Sequence, residues 1–235
     1  MVEEPSHFDK EKGVLRDTVY SKQSEVKLAE KWLEHLRGGF DCLKPDRDWS
    51  ERERVKLQLT ALGFDSLRWS LEVMLKGYYV QAIALARLAW ESWLNTTFLV
   101  LNPEFEIESW ENFKKRPRPS EMRKKVAEKP PEGSEVYNKE LLHGLNKMYK
   151  GYSGYSHPSQ ESLQVLIADD GNGRLTLNLG GAYNEQQFLQ SVNYFFNASS
   201  MISSNFLFLL EDFESFNADG DELIGEVNEW RASLI

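Results

Sequence analysis

The sequence has one cysteine, Cys42, in 235 residues. That excludes an intrachain disulfide and fits a reducing compartment. Cys42 is expected to be a small buried hydrophobe or an idle thiol rather than a nucleophile. Histidine is scarce as well: His7, His35, His143 and His157 are dispersed along the chain. There is no HExxH, no Cys/His cluster, no glycine-rich phosphate loop and no nucleophile elbow. Asp169–Gly173 resembles fragments of a calcium loop, but its ligand spacing and terminal residue do not fit one, and it reads as a turn. No metal and no cofactor are therefore expected. Positive charge is in deficit, with a formal net charge of -9 and a pI near 5.1. That balance weighs against broad binding to nucleic acid or a membrane surface. The start, MVEEPSHFDKEKG, is polar and acidic, unlike a signal or transit peptide. A cytoplasmic protein is expected.

Long clean apolar runs are missing too. The longest apolar segment, Gly77–Leu101, carries Arg87 and Glu91 at its centre, where charge is expensive in lipid. It is read as the central helix of a bundle, apolar on most sides. At about 100° per residue, Val80, Arg87, Glu91 and Phe98 fall in one narrow arc with Leu94 beside it. The two charges therefore lie away from an ordinary solvent face, one turn apart. A direct Arg87–Glu91 contact, or a shared partner on the His157 loop or the C-terminal helix, is expected.

Around that helix the sequence predicts an all-α (mainly α) fold. Residues 1–18 mix proline, glycine and charge without periodicity and read as a loose N-terminal tail; residues 19–235 read as one helical-bundle domain. Val26, Ala29, Leu33 and Leu36 mark a helix over Ser21–Arg37, ended by Gly38-Gly39. Ser50 and Glu53 form a capping box that opens a helix running to Lys76. Gly77 then breaks the pattern, so short a break predicting an antiparallel αα-hairpin with the central helix. Phe105, Ile107, Trp110 and Phe113 suggest a short amphipathic turn. The basic run KKRPRPSEMRKK reads as a solvated loop and helix end, with a phosphate-binding patch as the alternative. Glu135–Tyr152 is helical in spacing. Leu163–Ala168 and Arg174–Leu179 flank a glycine-rich turn and predict one small β-hairpin. Asn184–Phe216 reads as a second long helix and Asp219–Ile235 as a short closing one. The polar stripe of the long helix, including Asn193 and Asn197, could line a pocket, but its continuation into Gln186 and Glu211 favours an ordinary solvent face.

One further segment carries chemistry: Tyr152-Ser153-Gly154-Tyr155-Ser156-His157-Pro158. Pro158 pushes His157 out of the helical region, which puts its imidazole at a helix end, where the dipole favours the charged form. Serine and tyrosine hydroxyls surround it. His157 either satisfies backbone carbonyls there or serves as a general acid, base or phosphate contact.

The segment Ala84-Leu85-Ala86-Arg87-Leu88-Ala89-Trp90-Glu91, followed by the Ser/His-Pro segment Tyr152–Ser159, a β-hairpin and a long C-terminal helix, resembles a family of bacterial helical proteins. The resemblance covers about residues 50–215. That family is similar to the HEPN superfamily of prokaryotic defence and toxin–antitoxin systems, many of whose members are RNases. HEPN nucleases carry an arginine, then four to six residues, then a histidine on one helix; here, with six intervening residues, the position upstream of His157 is Lys150, which lacks the planar guanidinium fork. The resemblance therefore implies a non-catalytic binding or regulatory module, dimeric, in phage defence or a toxin–antitoxin pair. The alternatives are a metal-independent RNase using His157 with Lys150 and Arg87, and a binder of a small anionic ligand at Arg87 and Glu91. Ser153 and His157 complete the candidate ligand-binding set.

Overall fold

A computed structural model describes residues 7–234 except 45, 112–114, 129–134, 157–166, 170–174, 178–181 and 212. The class is all-α. Helices α1 (His7–Ser21), α2 (Gln23–Asp41), α3 (Glu51–Leu75), α4 (Tyr79–Leu101), α5 (Ile107–Glu111), α6 (Pro119–Glu128) and α7 (Glu135–Ser156) follow in order. Two three-residue strands come next, β1 (Ile167–Asp169) and β2 (Leu175–Leu177), antiparallel with Ala168 opposite Thr176. Then come α8 (Glu185–Asn205), a 3-10 turn over Phe206–Phe208, and α9 (Phe213–Ala232). The glycine-rich turn expected between the strands lies outside the described residues.

The α3–α4 hairpin is the scaffold. Its start is the capping box: Glu53 N–H donates to Ser50 Oγ at 3.3 Å, and Ser50 N–H donates to Glu53 Oε2 at 2.9 Å. Its bend needs Gly77, whose φ of +82° is a conformation only glycine adopts cheaply. Across the hairpin Ser70 Oγ donates to the Ala82 carbonyl at 2.8 Å. Arg52 donates to the carbonyls of Leu99 and Pro103, both at 2.9 Å, satisfying acceptors at and just beyond the end of α4. Helices α6, α7 and α8 pack on α4, which buries Ala82, Ile83, Ala86, Ala89, Trp90, Leu94, Phe98 and Leu99.

Four sequence expectations are corrected. Residues 7–18 are helical rather than loose: Thr18 is fully buried, and Glu11 accepts a hydrogen bond from the Tyr78 hydroxyl, a partner far away in sequence. Helix α2 does not end at Gly38-Gly39 but runs through both to Asp41. Gly39 is there for space, since a Cβ would meet the Phe206 ring at 2.7 Å. The long helix expected over Asn184–Phe216 is broken after Phe208. As one helix it would hold Phe206 and Phe216 about 15 Å apart along the axis. Their ring centroids are instead 5.0 Å apart, because the chain turns back and packs both into one aromatic cluster with Phe40 and His35. Of the two readings of Cys42, the small buried hydrophobe falls, because the residue is exposed.

Candidate functional site

The candidate site is the junction of α4, α6 and α7. On α4, Arg87 Nε donates to Glu91 Oε1 at 2.8 Å, so the two misplaced charges do meet. Their side chains are 13% and 29% exposed, the arginine the deeper of the two. One turn further on, Asn95 Nδ2 donates to the Glu91 carbonyl at 2.6 Å. The expectation of a mostly buried pair holds for Arg87; Glu91 keeps an open edge because it lies on a cavity wall.

Helix α7 supplies the opposite side. Asn146, Tyr149 and Ser153 recur at helical spacing and share one face. The Tyr149 ring has two guanidinium groups against it: Arg87 Cζ is 5.2 Å from its centroid and Arg123 Cζ is 3.9 Å from it. Cation–π attraction of this kind strengthens when the cation is desolvated. Below it, Trp90 is fully buried, with ring centroids 6.1 Å from Tyr149 and 5.9 Å from Tyr152. Tyr152 donates to the Tyr194 carbonyl at 3.0 Å, and burial pushes its phenol far above the ordinary tyrosine range. That favours the neutral hydroxyl, which donates its proton to the carbonyl.

Helix α6 contributes the residue that sequence reasoning passed over. Its buried stripe is Met122, Arg123, Val126 and Ala127, so an arginine occupies a core position. Arg123 is 6% exposed; its Nε donates to Asn146 Oδ1 at 2.9 Å, while its Nη1 is buried with no hydrogen-bond partner among the described residues. Among the described residues it has no carboxylate partner. Burial lowers its proton affinity first; the nearby Tyr149 and Glu91 raise it, and Arg87 lowers it again. A guanidinium still remains charged under all ordinary conditions. The signal was legible as the only charge within the α6 apolar stripe, but the surrounding run of lysines and arginines hid it.

A cavity of about 500 Å³ opens beside this cluster. Leu94, Met122, Pro117 and Pro119 form its apolar walls, and Glu91, Asn95, Arg116 and Arg118 its polar ones. The basic run expected to be solvated thus splits: Lys124 and Lys125 are exposed, Arg116 and Arg118 line a cavity, and Arg123 is buried. Of the other candidates, Ser153 is half-buried and its Oγ lacks a partner among the described residues. Lys150 is exposed. His157 lies outside the described residues. Among the described residues no three acidic, histidine or cysteine side chains cluster to hold a metal ion, and no helix is long and apolar enough to cross a membrane. Among the described residues the site brings together cationic donors and the carboxylate of Glu91. Comparison of the chain with family models, curated proteins and solved structures finds no match.

Proposed function

We propose that the chain is a non-catalytic binding module with a HEPN-like fold, and that the cavity beside Arg87 and Glu91 takes a small anionic ligand. The observation that supports this most is Arg123. Its guanidinium, nine-tenths buried and among the described residues without a carboxylate or a partner for Nη1, stands behind the cavity wall next to the lining residue Met122, and adds an uncompensated positive charge there. Arg116 and Arg118 on the neighbouring wall add positive potential inside a partly apolar recess, where electrostatic attraction is less screened than in water. Glu91, hydrogen-bonded to Arg87, keeps that arginine oriented. The defence or toxin–antitoxin setting and the homodimer rest on the sequence resemblance alone. The ribonuclease alternative gains no support from Lys150, which is exposed while Tyr149 and Tyr152 turn inward.

The test is a thermal-shift titration with pyrophosphate, sulfate and short dicarboxylates. A ligand at a hundred times its Kd should stabilise the protein by about 2.7 kcal/mol. The double variant Arg116→Ala/Arg118→Ala should weaken that ligand at least tenfold while melting normally without it. If none of these anions shifts the melting temperature of the wild-type protein, the reading fails.

A further inference from the structure

A second cluster, on the far side of α8, carries an inference independent of the cavity at Arg87. The polar stripe of α8 was expected to be a plain solvent face. Instead, two of its residues hold an arginine from α9: Arg231 Nε donates to Asn193 Oδ1 at 2.9 Å, and Arg231 Nη2 donates to Asn197 Oδ1 at 2.6 Å. The chemistry fixes the amide orientation, because a guanidinium has only donors and both asparagines must turn their oxygens towards it. Their Nδ2 groups therefore point the other way, and neither makes a hydrogen bond among the described residues.

Two features separate this arrangement from a simple strut between helices. First, the partners are neutral. Aspartate at either position would bind the guanidinium more strongly and cancel its charge; asparagine holds it and leaves the charge intact. Arg231 has no carboxylate partner among the described residues. Second, the asparagines use only one edge of the fork. Nε and Nη2 form the side edge, which leaves the end edge, Nη1 with the second Nη2 hydrogen, open for a bidentate oxyanion. The group is half-buried, and burial disfavours its charged form, so a bound anion would compensate it. It lines a cavity of about 410 Å³ whose other walls are Leu189, Trp230 and Leu234, with Gln190 beside them. Gln190 is itself positioned, its Nε2 donating to the Tyr155 hydroxyl at 2.6 Å.

We propose that Arg231, Asn193 and Asn197 form a binding site for an oxyanion on an apolar carrier, a carboxylate or phosphate ester whose body rests on Trp230, Leu189 and Leu234. The open fork edge grips two oxygens.

The experiment is isothermal titration of the full chain with phenyl phosphate and with benzoate, using phenol and inorganic phosphate as controls. Saturable binding of one or both aryl anions, with phenol silent, is expected, and the stronger of the two identifies the source of the oxyanion. Asn197→Asp neutralises Arg231 while keeping the bridge, so the fold should melt at the same temperature or higher and binding should fall at least tenfold. Arg231→Lys keeps the charge but loses the fork, and should also weaken binding. If neither aryl anion binds the wild type, or if Asn197→Asp binds as well as wild type, the site does not exist. Arg116→Ala/Arg118→Ala should bind the aryl anion normally. Loss in that variant with retention in Asn197→Asp would place the anion at the other cavity and overturn this inference alone.

Discussion

Two junctions of the molecule put an ionisable group against an aromatic face. At the junction of α4, α6 and α7, Arg87 and Arg123 lie against Tyr149. At the junction of α2, α8 and α9, His35 stacks on Phe216 with ring centroids 4.1 Å apart, and meets Trp32 edge-on. Its Nε2 lies 2.9 Å from Ser203 Oγ. Both groups are at least partly removed from water, yet they answer burial differently. A guanidinium cannot shed its proton, so the first junction must supply negative charge and π-density, and it recruits Glu91. An imidazole can, so the second junction needs no counterion in contact; burial pulls the His35 pKa down, and Asp219 offsets only part of that. Similar aromatic settings thus hold a permanent cation in one place and favour the uncharged ring in the other.

Removing the carboxylate from the first junction is the sharpest way to break the comparison. Glu91→Ala leaves Arg87 without its carboxylate partner and should destabilise the protein by roughly 3 kcal/mol. Arg87→Met/Glu91→Leu, which removes both charges and keeps the volume, should cost much less. Urea denaturation of the two variants gives the difference, and equal losses would mean that the ion pair carries no weight.

Packing at the second junction is tested by Gly39→Ala. The added methyl group must displace the Phe206 ring, which is fully buried between Phe40 and Phe216. A loss of about 1–3 kcal/mol is expected, typical of overpacking. Gly38→Ala, with open space at its Cβ, should be neutral or slightly stabilising as a helix substitution. Similar melting temperatures for the two variants would contradict the close approach.

The smallest effect is the pH response of His35. Its folded pKa lies below its unfolded value near 6.5, so the unfolded chain binds the proton more readily. The contribution to stability is full above the unfolded pKa and is lost as pH falls through that value towards the folded pKa. Wild type should therefore lose stability between pH 7.5 and 5.5 more steeply than His35→Gln, as read from urea midpoints. Parallel slopes would show that His35 titrates as it does in water.

The sequence carried the long hairpin plainly, because the Ser50–Glu53 box, the apolar periodicity and Gly77 all act locally. It also carried the Arg87–Glu91 contact, since two charges one turn apart on an apolar helix have few other ways to be satisfied. Arg123 was harder to see. Its neighbours Lys124 and Lys125 are exposed, and composition alone cannot tell which member of a basic run turns inward. The break after Phe208 was invisible for a different reason. No glycine or proline marks it; it follows from long-range attraction among Phe206, Phe216, Phe40 and Gly39, residues that periodicity cannot relate. Asn193 and Asn197 were assigned to solvent because nothing local points to Arg231.

The break after Phe208 also bears on how the chain must assemble. His35 and Ser203, in contact at the second junction, are 168 residues apart in sequence. The α3–α4 hairpin involves mostly nearby residues and can form early, since local contacts cost little loop entropy. Helix α2 cannot finish burying Trp32 and Leu36 until α8 and α9 exist. During synthesis the first large apolar face therefore waits for the last helices to emerge, which makes closure of the two ends the step most exposed to misassembly.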